Sequence, residues 1–231
     1  MARLRGCFVT GTDTGVGKTV LAAAIVATLR FDGVAVRALK PVITGLDEPA
    51  EPDWPRDHEL LARVAGCAPE QVALVGYGPP LSPHLAAELA GGEPPSVASL
   101  SRGVRGAAAD SVLVVEGVGG LLVPLGPDAD VRALARELGL PLVIAARPGL
   151  GTINHTRLTL EAARLGGLPV AGVVLTPWPE QPGVIERSNL ETIARLGAVE
   201  VGTLGFVARP EPAALVAAAA GLPLDRWLEL E

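Results

Sequence analysis

Residues 10–20 read TGTDTGVGKTV and directly follow a short apolar run, LRGCFVT, at 4–10. A glycine-rich turn that ends in Gly-Lys-Thr constrains this chain more than any other feature. Its backbone N–H groups can close around an anion, and a helix opening at the lysine adds about half a positive charge from its dipole. Such a loop needs a buried strand to launch it and a helix behind it. The strict phosphate-loop spacing, G-x-x-x-x-G-K-[ST], is missed by one residue. Counting back from Gly17-Lys18-Thr19, the first glycine falls at Thr12, whereas Gly11 stands one place earlier. The phosphate chemistry survives the longer arm. Gly15 and Gly17 allow close approach, Lys18 can reach the β- and γ-phosphates, and the Thr19 hydroxyl can bind Mg²⁺.

The rest of the chain alternates β and α. Strands are expected at 34–40 (VAVRALK), 111–117 (SVLVVEG), 141–146 (PLVIAA), 169–176 (PVAGVVLT) and 199–205 (VEVGTLG). A weaker one is expected at 71–77 (QVALVGY). Helices are expected at about 18–30, at HELLARVA, after Ser82, at ADVRALAREL, at TINHTRLTLEAARLG, around 184–196 and in the tail from Glu211. DEPAEPDWPRD should be a surface loop. Continuous apolar strands between amphipathic helices predict a mostly parallel sheet covered on both faces. The expected fold is therefore one doubly wound α/β domain over 1–231, of the P-loop NTPase type. Ligands of such sheets bind at the carboxyl edge of the strands.

Composition narrows the function. The net charge is −6 and no basic stripe is visible, which argues against nucleic acid. No apolar run reaches the ~18 residues of a membrane helix. MARLRGCFVTG has too short an apolar stretch to be expected to act as a secretory signal. Cys7 and Cys67 form no C-x-x-C motif, which fits a reducing cytoplasm. Arginine supplies nearly all the positive charge, and the two lysines, Lys18 and Lys40, both sit at strand-end loops. A lysine is a compact point charge suited to a phosphate. Glu116 ends VLVVEG, where a carboxylate can hold Mg²⁺ in P-loop enzymes. Asp57 in PRDHELL reads, on its own, as a helix N-cap. His58, His84 and His155 lack metal-ligand spacing.

Five motifs, FVTGTDTGVGKT, LKPVITG, LSPHLAAE, VVEGVGGLLVPL and LGTINHTRLTLEA, follow one another over roughly residues 6–208. Together they make the chain resemble the dethiobiotin synthetase family. The longer first loop, with five residues between Gly11 and Gly17, is that family's own form. The resemblance implies a cyclo-ligase that uses ATP, Mg²⁺ and CO₂ or bicarbonate to close 7,8-diaminopelargonic acid into a cyclic urea. It implies Lys40 and Lys18 as catalytic cations, and Thr19, Asp57 and Glu116 as Mg²⁺ ligands. Asp13, Thr14, Gly15, Val16, Gly17, Lys18, Thr19 and Val20 would hold the phosphates. Gly117, Val118 and Gly119 would line the site by backbone, with Thr44 and Gly119 touching the diamine. Thr176, Pro177, Gly205, Phe206 and Val207 would surround the base. A homodimer is implied, with Leu150, Gly151 and Asn154 of one subunit holding the substrate's carboxylate tail in the other's site.

Two departures stand out. Gly15 replaces a glutamate found in some members, and Thr176-Pro177 replaces an Asn-Asp pair whose asparagine reads adenine. Two alternatives remain beside this reading. One is a partitioning-type ATPase switch, although those proteins usually carry a lysine where Asp13 and Thr14 stand. The other is an ATP-dependent ligase acting on a related cofactor precursor.

Overall fold

The computed structural model describes residues 3–49 and 54–229; part of the proline-rich loop, at 50–53, lies outside them. In chain order the elements are β1 (Gly6–Gly11), α1 (Lys18–Phe31), β2 (Val36–Leu39), β3 (Val42–Ile43), α2 (Asp57–Ala65), β4 (Val75–Gly76), α3 (Pro83–Leu89), α4 (Val97–Ala108), β5 (Val112–Glu116), β6 (Pro124–Gly126) and β7 (Ala129–Asp130). They continue with α5 (Val131–Leu138), β8 (Leu142–Ala146), α6 (Thr152–Leu165), β9 (Val170–Trp178), α7 (Val184–Gly197), β10 (Val201–Gly205), α8 (Pro212–Ala219) and α9 (Leu224–Trp227).

Six strands form one parallel sheet in the order β10-β9-β8-β1-β5-β2. The strands β1, β5 and β8 are buried along their whole length, as continuous apolar strands covered on both faces must be. One apolar layer joins Leu21 and Ile25 of α1, Leu60 and Leu61 of α2, Leu215 of α8 and Trp227 of α9. The opposite layer joins Leu100 and Val104 of α4, Leu134 of α5, Leu160 of α6 and Ile193 of α7. Aromatics are only 3% of the chain, so both layers are built mainly from Ala, Val, Leu and Ile, with Trp227 in one and Phe8 in the other.

The doubly wound parallel sheet follows the expectation, while several boundaries move. The first strand starts at Gly6, whose φ is 128°, and a Cβ there would collide with the Leu113 backbone of β5. Only glycine lets the two strands pass so closely. Of the expected strand at 71–77 only Val75–Gly76 pairs, with Val42–Ile43; residues 69–71 form a 3₁₀ turn instead. Helix α4 has no counterpart among the expected elements. Its Ser96 Oγ accepts a bond from Ser99 N at 3.1 Å, an ordinary N-cap, but Gly103 and Gly106 dilute its helical pattern.

Candidate active site

The carboxyl edge of the central strands gathers the chemistry. The phosphate-type loop leaves β1 and enters α1, with Gly17 at the N-cap in the left-handed region, φ 86°. A Cβ on Gly17 would stand 2.9 Å from Thr176 Cγ2, so glycine is also required by packing. Lys18 and Thr19 open α1, Glu116 is the last residue of β5, and Lys40 follows β2. Because β1, β5 and β2 are neighbours in the sheet, residues far apart in sequence meet. Asp57 is the first residue of α2 and Arg56 occupies the N-cap position, so Asp57 is not the cap its local sequence implies.

The side chains form one connected group. Lys18 Nζ bonds Asp13 O at 2.8 Å. Thr19 Oγ1 donates to Glu116 Oε1 at 2.8 Å, and Lys40 Nζ reaches the same oxygen at 2.7 Å. Lys40 Nζ also bonds Asp57 Oδ2. Lys40 and Glu116 are only 5% and 1% exposed, so their charges are held almost without water. Burial draws Lys40 down, but Glu116 and Asp57 outweigh it and its ammonium ends above the usual lysine range. Lys18 goes the other way: burial is the main cause, and it lowers the pKa. Burial pushes Glu116 up, and Lys40 offsets only part of that, with Asp57 adding repulsion. Burial also acts on Asp57, but the nearby Lys40 holds its carboxyl below the ordinary value. Glu116 Oε2 is buried without a hydrogen-bond partner among the described residues.

A cavity of about 500 Å³ opens over this group. Thr14, Gly15, Gly17, Val20 and Thr44 line it beside Lys18, Thr19, Lys40, Asp57 and Glu116, and Val118 and Gly119 close the far side. Asp13 contributes its carbonyl to Lys18, and Val16 is buried beneath the loop. Gly117 does not line the cavity; its N–H is bound to Val9 O at 2.9 Å. Trp54, Leu81 and Ser82 also line the cavity, and no sequence signal had singled them out as site residues. The available clue for Leu81 and Ser82 was their place in the LSPHLAAE motif, although Ser82 before Pro83 reads equally well as the start of α3.

Two sets of expected residues stand outside that cavity. Thr176 and Pro177 lie near the end of β9, and Gly205 pairs with Trp178 across β10, so these residues and the following Phe206 and Val207 share one edge. Thr176 is buried and packs beside Gly17, while Phe206 is 71% exposed. Gly151 and Asn154 line a different groove, of about 900 Å³, along α6. Leu150, before that helix, is 86% exposed.

The oxygen donors around Lys40 are two carboxylates and a hydroxyl. Among the described residues no three His, Cys, Asp or Glu side chains form a metal cage. A hard, partly hydrated Mg²⁺ shared with phosphates needs only such a sparse oxygen set, so the residues fit it.

Known proteins resemble this chain in sequence and in fold. Residues 5–208 match the family model described as an AAA domain. The sheet resembles chloroplast FtsY from Physcomitrella patens, at TM-score 0.54 and 17% identity over 94% of this chain and 66% of that one. It also resembles a ParA family ATPase from Chlorobium tepidum TLS, at TM-score 0.53 and 12% identity over 98% and 94% of the two chains. These likenesses establish a P-loop α/β fold. An ATP-dependent dethiobiotin synthetase BioD from Mycobacterium sp. (strain KMS) is 43% identical over 206 residues, covering 88% of this chain and 89% of that protein. The protein of the same name from Anaeromyxobacter dehalogenans is 45% identical over 195 residues, covering 84% and 86%. A chain so similar along most of its length, with the loop and carboxyl-edge residues in one cavity, belongs to the ATP-dependent dethiobiotin synthetase family.

Proposed function

We propose that this chain is an ATP-dependent ligase of biotin biosynthesis that closes 7,8-diaminopelargonic acid with CO₂ into dethiobiotin, its whole activity carried by one domain over 1–231. The observation that carries the reading is the convergence of Lys18, Thr19, Lys40, Asp57 and Glu116 on one cavity at the carboxyl edge of the sheet. The reaction starts when one amine of the substrate takes up CO₂ and loses a proton, giving a carbamate. A carbamate oxygen then attacks the γ-phosphorus of ATP and ADP leaves. The second amine attacks the carbonyl carbon of the resulting mixed anhydride, and phosphate leaves as the ring closes.

Two anions must approach each other in the phosphoryl step, so positive charge fixed beforehand is the main requirement. Lys18, at the head of α1, holds the β- and γ-phosphates, together with the backbone from Asp13 to Val20. Lys40 faces the carbamate and the transferring phosphoryl group. Thr19, Asp57 and Glu116 would hold Mg²⁺, which would neutralise phosphate charge as the leaving group departs. Thr44 and Gly119 contact the diamine, and Val118 shapes the wall beside it, with Gly117 behind that wall. Thr176, Pro177, Gly205, Phe206 and Val207 surround the base. In a homodimer, Leu150, Gly151 and Asn154 of the partner would take the carboxylate tail.

The test is phosphate release from ATP. It should need diamine and bicarbonate together, with a product mass equal to the diamine plus CO₂ less water. Steady release without the diamine would replace this reading with that of an ATPase switch.

A further inference from the structure

The position of Lys40 carries a consequence for how the metal is loaded, resting on the reading of Thr19, Asp57 and Glu116 as its ligands. Glu116 Oε1 already accepts two bonds, from Thr19 Oγ1 at 2.8 Å and from Lys40 Nζ at 2.7 Å. Lys40 Nζ also bonds Asp57 Oδ2. The ammonium therefore sits between the two carboxylates that a divalent cation would need and takes one oxygen of each, while Glu116 Oε2 has no partner among the described residues. A divalent cation held by both carboxylates would stand within a few ångströms of that ammonium, and like charges so close in a buried place repel strongly. The lysine stem is flexible and its head is a compact charge, so it can leave along the open cavity, toward Thr44.

We propose that Lys40 and the divalent cation are alternative occupants of one carboxylate-lined place, so that metal arriving with ATP displaces Lys40 and delivers its ammonium to the reacting groups. Lys40 is then both a catalytic residue and a guard against premature metal binding. A dication alone competes poorly with the tethered ammonium, whereas one bound to triphosphate brings phosphate oxygens and Lys18 contacts that favour the exchange. The order of events follows. The phosphoryl-transfer cation reaches the substrate only after ATP is in place, and no ATP is committed before then.

The test uses Mn²⁺ as the probe and electron paramagnetic resonance to count free metal. Without nucleotide, Lys40→Met should bind Mn²⁺ about tenfold or more tightly than the native protein, since a neighbouring positive charge has gone. Lys40→Arg keeps the charge and should stay weak. Equal Mn²⁺ affinity in the native protein and Lys40→Met overturns the proposal. With a non-hydrolysable ATP analogue, all three should bind Mn²⁺; if none does, the metal-ligand reading falls first and this inference with it. A measurement on the native chain covers the case in which a variant fails to fold. The sequence has two lysines, so ¹⁵N-lysine labelling gives one Nζ signal for each. Saturating Mg²⁺ without nucleotide should move the Lys40 signal and leave that of Lys18, which is bonded to Asp13 O. An unmoved Lys40 signal at saturation overturns the exchange.

Discussion

Replacing Lys40 removes one positive charge from a buried group in which Glu116 and Asp57 depend on it. Lys40→Gln should lower kcat by about a hundredfold or more, the usual scale for one transition-state electrostatic group, while nucleotide binding measured by calorimetry stays within a few-fold. Near-native turnover would remove Lys40 from the mechanism. Lys18→Ala should differ in kind, weakening nucleotide binding itself. A second residue-scale prediction concerns the base. Thr176 is buried against Gly17 and Pro177 has no polar side-chain atom, so neither presents the bidentate amide that discriminates adenine. Turnover with ATP, GTP, CTP and UTP should then give kcat/KM values within roughly a hundredfold of one another. A larger preference for ATP would show that another group reads the base. Thr176→Asn should press on the loop through Gly17 and raise KM for every triphosphate alike. The lysines and Glu116 were legible in the sequence because strand ends of a parallel sheet share one edge. Asp57 was not, on local grounds, because its role depends on where α2 lands on α1.

Among the elements, the strands were the easiest to read, since a strand covered on both faces is a plain apolar run. Helix α4 was lost because its glycines and serines mask a short apolar stripe whose partners, Leu134 and Leu138, lie far along the chain. The tail is held by a different device. Trp227 Nε1 donates to Glu200 Oε2 at 2.8 Å, and Arg226 bonds the same carboxylate, joining α9 to the turn before β10. The Trp227 bond is the largest cause of a Glu200 pKa below the ordinary value. A carboxyl depressed in the folded state adds stability above its unfolded pKa of about 4.3, and that stability is lost as pH falls through the lower folded value. Glu200→Gln should therefore be less stable than the native chain at pH 7, by no more than about 1 kcal/mol because the carboxylate is partly exposed and screened. The two should converge in acid, once the pH has fallen below the depressed folded value. Urea midpoints followed by tryptophan fluorescence over a pH series descending from 7 test this, and a gap that stays constant down the whole series would assign the effect to packing.

At the scale of the whole molecule, the two halves of the expected substrate site do not share a cavity within one chain. Lys40 lines one opening, and Asn154 lines the groove along α6. Leu158 and Leu165 on α6 are 58% and 80% exposed, and Leu150 just before it is 86% exposed. Positions 154, 158 and 165 fall on one face of α6, so Leu158, Leu165 and Asn154 point the same way. A stripe of that kind calls for a cover, and the proposed homodimer is one in which each Asn154 meets the other chain's Lys40 opening. The prediction is complementation. Asn154→Ala should raise KM for the diamine with little change for ATP, and Lys40→Gln should be nearly inactive. When the two variants are mixed in equal amounts, unfolded in urea and refolded together, half the dimers should be mixed, and each should hold one site with both residues intact. Assayed at diamine well below the raised KM, the mixture should recover about a quarter of native activity. If each site instead belonged to a single chain, the mixture would stay at the mean of its two parents. Native mass spectrometry on differently tagged variants shows whether mixed dimers have formed. Mixed dimers with no more than the parental mean would place Asn154 outside the site of the neighbouring chain.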